Sequence, residues 1–97
     1  MIPSVGQEAD LELTEGAIYY AREAGAELGF AFIAEFERVL ALLSSRPQIG
    51  VAWRGNRRKF PLRRFPYNVI YYVRGQELRV IALAHQSRKP GYWIGRK

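Results

Sequence analysis

The hydrophobic period of this chain changes once, at Gly50, and that change constrains the fold more than any other feature of the sequence. Before it, apolar residues recur at helical spacing. Leu13, Ala17, Tyr20 and Ala24 follow one another at intervals of four, three and four, placing them on one stripe of a helix over Gln7 to Ala24. Asp10, Glu12 and Glu15 lie in its first turns, where negative charge suits the positive end of the helix dipole. Gly25 interrupts the pattern. A second helix, Ala26 to Ser45, carries a broader apolar face of Phe32, Phe36, Val39, Leu40 and Leu43 and stops at Ser44, Ser45 and Pro47. The break is short, so the two helices should form an antiparallel hairpin. The aromatic series Phe30, Phe32 and Phe36 reads as core rather than as a ligand box.

After Gly50 the period is that of strands. Arg57 to Phe65 reads as a charged strand, with Pro61 marking an edge or a bulge because proline has no N–H to give to a ladder. Phe65 to Asn68 reads as a turn. Val69 to Arg74 is β-branched and aromatic on both faces, the pattern of a central strand. Gly75-Gln76 turns the chain into a third strand, Leu78 to Ala84, paired antiparallel with the second. The tail from His85 to Lys97 should pack Tyr92 and Trp93 back on the sheet, and Met1 to Val5 is a candidate edge strand despite Pro3. The expected architecture is α+β: an N-terminal helical hairpin on one face of a small, twisted, mainly antiparallel sheet. A chain of 97 residues has room for one domain with one core, spanning 1–97.

Charge divides along the same boundary. Residues 1–45 hold eight carboxylates and two arginines, a net of −6; residues 46–97 hold thirteen Lys/Arg and Glu77 alone, a net of +12. Such a half attracts polyanions or acidic protein partners. With no cysteine and one histidine, disulfides and thiolate metal sites are excluded and a conventional zinc site is not expected; no cofactor is implied. Met1 to Asp10 lacks the basic start and apolar stretch of a signal peptide, and no apolar run reaches membrane-spanning length. The expected compartment is the bacterial-type cytoplasm, with no membrane partner.

Two segments of the basic half carry a resemblance. Arg63-Arg64-Phe65-Pro66-Tyr67 followed by a tyrosine-rich strand resembles the RRFPY-type segment of the RelE/ParE toxins of type II toxin–antitoxin systems. Ala82-Leu83-Ala84-His85-Gln86-Ser87-Arg88-Lys89-Pro90-Gly91-Tyr92-Trp93 resembles the family's AVAHxxRxPxYW ending. Tyr19-Tyr20 in the first helix and Phe32, Glu35 and Phe36 in the second match the family layout, so the resemblance covers essentially the whole chain. It implies a growth-inhibiting toxin neutralised by a cognate, ParD-like antitoxin with an acidic toxin-binding segment.

The resemblance leaves two targets, because RelE-type members cut mRNA on the ribosome and ParE-type members are associated with inhibition of DNA gyrase. Metal-free RNA cleavage needs a base, an acid and cations for the phosphorane charge. Lys59, Arg88 and Tyr92 match positions of the RNA-cutting pattern, but Asn68 and Gln86 stand where that branch resembles an arginine pair. The first reading is therefore a ParE-like binding inhibitor of gyrase with no catalytic chemistry. The alternative is a RelE-like ribosome-dependent mRNA endonuclease, metal-independent, and a third reading is a basic nucleic-acid-binding module. His85 is expected to fix the tail by a hydrogen bond rather than to act as a base. Asp10, Glu12 and Glu15 read as caps and solvated charges.

The basic cluster Arg54, Arg57, Arg58, Lys59, Arg63 and Arg64 is the candidate antitoxin- or target-binding patch. Strand alternation would put Arg58 and Arg64 on one face and Arg57, Lys59 and Arg63 on the other. The interleaved Phe60, Phe65 and Tyr67 fit either base stacking or the core.

Overall fold

The computed structural model describes residues 1–97. Its elements run β1 (Ile2–Val5), α1 (Gln7–Ala24), α2 (Ala26–Ser45), β2 (Val51–Ala52), β3 (Arg58–Pro61), β4 (Tyr67–Arg74) and β5 (Glu77–His85). The five strands form one sheet in the order β1-β5-β4-β3-β2. Only β1 is parallel to its neighbour; β5, β4, β3 and β2 pair antiparallel in succession.

The helical hairpin forms where the period predicts it. Gly25 sits between the helices at φ 102°, a conformation that side chains with a Cβ avoid, so glycine is what allows so abrupt a reversal. The helices then meet closely. A Cβ added at Gly29 would lie 2.7 Å from the carbonyl oxygen of Ala17, so this contact is closed to any larger residue. Phe32, Phe36, Val39 and Leu43 of α2 are buried, and with Ala9 and Ala17 of α1 they cover one face of the sheet. Phe30 is the exception to the expected aromatic series. It is 70% exposed, because one residue from Gly29 is a 100° rotation away from the interface.

β4 is central and covered on both sides, which is why Val69 to Val73 is apolar without alternation. Val69 and Tyr71 point to the helices, whereas Ile70 and Tyr72 join a second apolar cluster on the opposite face. Tyr71 is fully buried; its hydroxyl donates to the Pro47 carbonyl at 2.8 Å and accepts from the Gly50 N–H at 3.0 Å, stapling the α2–β2 connection to the sheet. In β5 the register with β4 slips beside Ile70/Tyr71, leaving Ile81 unpaired. This bulge shifts the alternation, so Leu78, Val80 and Leu83 all reach the helix-side core.

The second cluster is closed by the tail. Trp93 is buried against Ile70, Tyr72, Ile81, Ala82 and Ala84, with Trp53 and Tyr92 at its margin. The first long strand departs from expectation. It ends at Pro61 rather than Phe65, and residues 63–66 form a bend with Arg64 at φ 70°. Leu62 still donates to Tyr67 across this bend at 2.9 Å, so the predicted turn at 65–68 is displaced towards the N-terminus and Tyr67 already belongs to β4. The short edge strand β2 was not anticipated.

Candidate functional site

The tail leaves a recess of about 130 Å3 on the sheet face opposite the helices. β3 supplies Lys59, β4 supplies Asn68 and Ile70, and β5 with the turn beyond it supplies Ala84, His85, Gln86 and Arg88. Trp53, Lys89 and Tyr92 complete most of the wall. Three cations and one imidazole thus line it, and no carboxylate does. Lys59 Nζ lies 4.0 Å from the centroid of the Trp53 ring, and the Arg88 guanidinium lies 4.0 Å from that of Tyr92. Neither cation forms a salt bridge. Their aromatic partners hold them in place without neutralising them, so the recess stays electropositive. No cluster of metal-ligating side chains exists anywhere in the molecule.

One acidic residue holds this architecture together. Glu12 of α1 projects onto the sheet, and its Oε1 accepts from the Leu83 N–H at 3.0 Å and from Arg96 Nη1 at 2.8 Å. Its Oε2 accepts from the Tyr92 hydroxyl at 2.6 Å. The Glu12 and Arg96 side chains are only 14% and 17% exposed. Burial, with the Glu12 bond adding to it, raises the Tyr92 hydroxyl far above the ordinary tyrosine range. Tyr92 is therefore a neutral donor tied to a carboxylate, not a proton source for the recess. His85 Nδ1 accepts from the Ser87 N–H at 3.0 Å and lies 2.7 Å from Ser87 Oγ, so the imidazole braces the turn that opens the tail.

A family model described as the ParE toxin of type II toxin-antitoxin system, parDE, matches residues 6–90. The chain belongs to the ParE toxin family. Among solved structures it is similar to a chain of the chromosomal ParDE TA system from P. aeruginosa, with a TM-score of 0.78 and 17% identity, over 88% of this chain and 95% of that one. At that identity the likeness is one of fold, and it reproduces the helical hairpin and sheet expected from the sequence. No curated protein is significantly similar to it in sequence.

Within this ParE toxin, the residues singled out from the RNA-cutting pattern do converge. Lys59, Arg88 and Tyr92 line the same recess as Asn68 and Gln86. The wider basic cluster does not form one patch. Arg57 and Lys59 face the recess side: Arg57 stacks on Tyr72 and donates to the Arg96 carbonyl at 3.0 Å, while Arg54 lies beside Trp53 in the preceding turn. Arg58 points to the helix side and donates to the Gly50 carbonyl at 2.8 Å and to Gln48 Oε1 at 2.7 Å, acting as a loop staple. Arg63 and Arg64 lie beyond the strand end, so alternation does not apply to them; the Arg63 N–H donates to Glu35 Oε2 at 2.6 Å.

The interleaved aromatics serve the core, Phe60 and Tyr67 only in part. Phe65 is buried, and Phe60 and Tyr67 pack on the helix-side core. Sequence reasoning missed Glu12, which is a buried anchor and not a solvated charge. The signal was present: Ala9, Glu12, Leu13, Gly16, Ala17 and Tyr20 advance in steps of three, one, three, one and three, so Glu12 falls on the buried stripe.

Proposed function

We propose that this toxin arrests growth by binding DNA gyrase, without bond-breaking chemistry of its own, and that a cognate ParD-like antitoxin neutralises it through an acidic segment laid over the electropositive recess. One observation carries the reading. The recess presents amides, Asn68 and Gln86, at the two positions where the RNA-cutting branch resembles an arginine pair, and its tyrosine hydroxyl is committed to Glu12. Each missing stabiliser costs roughly 100–1,000-fold in rate, so two absent cations leave no useful cleavage.

The experiment runs two targets in parallel. Purified gyrase should lose supercoiling activity when the toxin is added and regain it with the product of the adjacent antitoxin gene. Translating ribosomes should show no new mRNA cuts. Codon-positioned cuts that disappear in Lys59→Ala, with gyrase left active, would replace this reading by the ribosome-dependent endonuclease.

A further inference from the structure

A second cleft, of about 560 Å3, lies on the other side of the ridge made by His85 and Arg88, between α1 and the start of the tail. Its character is opposite to that of the recess. Tyr19, Tyr20, Tyr67 and Tyr92 contribute aromatic surface, and Glu12 and Glu15 contribute carboxylates. Gly16 lines the floor, where the core ring of Phe32 packs directly against its backbone: a Cβ there would stand 2.5 Å from that ring and 3.4 Å from the Tyr67 hydroxyl. Tyr20 packs edge-on against Tyr19 at 5.2 Å and approaches Tyr67 at 6.4 Å, so the rings form a continuous wall.

The electrostatics of the cleft favour a cation. Desolvation raises the Tyr67 hydroxyl above its ordinary range, and the neighbouring tyrosines, Glu12 and Glu15 push it in the same direction. Glu12 is already matched by Arg96, and Arg88 stands on the rim, so the carboxylate left over is Glu15, which forms no salt bridge. One ring of the wall already takes guanidinium groups: the guanidinium carbons of Arg88 and Arg96 lie 4.0 and 5.0 Å from the Tyr92 centroid. An incoming carboxylate would face Glu15 and Glu12. A purely apolar side chain would leave Glu15 with water alone. Lysine carries a compact, strongly hydrated charge, whereas a planar guanidinium stacks on rings and donates sideways at once.

We propose that this cleft receives an arginine side chain of the antitoxin, stacked on Tyr20 and Tyr67 and donating to Glu15. The partner's identity rests on the reading given under Proposed function; the chemistry of the cleft does not. Because recess and cleft share a ridge, one antitoxin segment would carry acidic residues for the first and an arginine for the second. That order of charges would fix its direction across the toxin.

The test uses the full-length toxin with its tyrosine rings isotopically labelled, and N-acetyl-arginine-N-methylamide as the probe. Saturable NMR shifts of the Tyr20 and Tyr67 rings should appear at millimolar probe. The neutral isostere N-acetyl-citrulline-N-methylamide should bind about 10-fold more weakly, and Glu15→Gln should weaken the arginine probe about 3-fold or more, as loss of a charge-assisted pairing requires. Absence of saturable shifts, equal binding of citrulline, or indifference to Glu15→Gln would overturn the proposal. The antitoxin should then displace the probe; a complex that forms while the probe stays bound would also overturn it. An antitoxin that fails to bind the toxin at all removes the partner and with it the docking proposal; probe binding would then establish only a guanidinium site.

Discussion

Glu12 shows how much one side chain decides here. It satisfies a backbone N–H of β5, a tyrosine hydroxyl and a guanidinium at once, so it ties α1, the sheet and the tail together. Glu12→Ala leaves the Leu83 N–H and the Tyr92 hydroxyl without their partner and leaves Arg96 only the Ile81 carbonyl at 3.1 Å and the exposed Glu8 at 3.8 Å. We expect a loss on the order of 3 kcal/mol, since an unsatisfied buried donor costs about 1–3 kcal/mol and Arg96 also loses its closest counter-charge. For a chain this size that lowers Tm by roughly 12–24 °C, and calorimetry would show it. A fall of only a few degrees would mean that water replaces the carboxylate freely.

The tyrosines set a second expectation at this scale. Burial raises the hydroxyls of both Tyr71 and Tyr92, and Tyr92 is raised further by its bond to Glu12. A raised folded-state pKa means that the unfolded chain ionises first. Stability is therefore fully present below about pH 10 and is lost as pH climbs from there towards the folded-state values, by up to about 1.4 kcal/mol per pH unit for each tyrosine. Urea titrations at pH 9, 10 and 11 should show that decline, with a shallower slope in Tyr92→Phe.

Among the elements, the helices were legible because their information is local. Spacing and a glycine at Gly25 place both helices over Gln7–Ala24 and Ala26–Ser45. Which residues of a helix are buried is nearly as legible, and Phe30 marks where that reading stops. Phe36 is 3% exposed and Phe30 is 70% exposed, although both were read as core. Phe36→Ala should destabilise by roughly 3–5 kcal/mol, and Phe30→Ala should fall within about 0.5 kcal/mol, as surface substitutions do. Denaturant unfolding of the pair checks the orientation of α2 directly, and equal costs would mean that the helix is rotated.

The sheet was less legible, because its ends depend on non-local partners. β3 stops at Pro61, where residue 61 still faces Asn68, and Arg63 leaves to meet Glu35 on a distant helix. No local pattern encodes that meeting. The recess follows the same logic. Its residue types were visible in sequence, as Lys59, Asn68, Gln86, Arg88 and Tyr92. That they share one wall follows from the β4–β5 pairing and the fold of the tail.

At the scale of the whole molecule, the division of charge becomes a division in space. All eight carboxylates of residues 1–45 lie on α1 and α2, and most of the thirteen cations beyond residue 45 lie on the sheet, its loops or the tail. The molecule measures 39 × 27 × 21 Å, so even its thinnest dimension exceeds the Debye length of about 8 Å at physiological salt. The helix layer therefore does little there to cancel the field over the recess, and an acidic partner approaching that side meets a positive surface rather than the average of +6. Steering of this kind raises on-rates by roughly 10–1,000-fold at low salt and fades as salt is added. Stopped-flow association of the antitoxin with the toxin should slow by at least about 10-fold between 0.02 and 0.5 M salt, with the off-rate changing far less. Charge reversal at Arg57 and Lys59 should remove most of that dependence, whereas reversal of Arg22, an α1 residue that lines no part of the recess, should leave it intact. An on-rate indifferent to salt, or one equally sensitive to Arg22→Glu, would take the basic face out of recognition and leave apolar contact to drive the encounter.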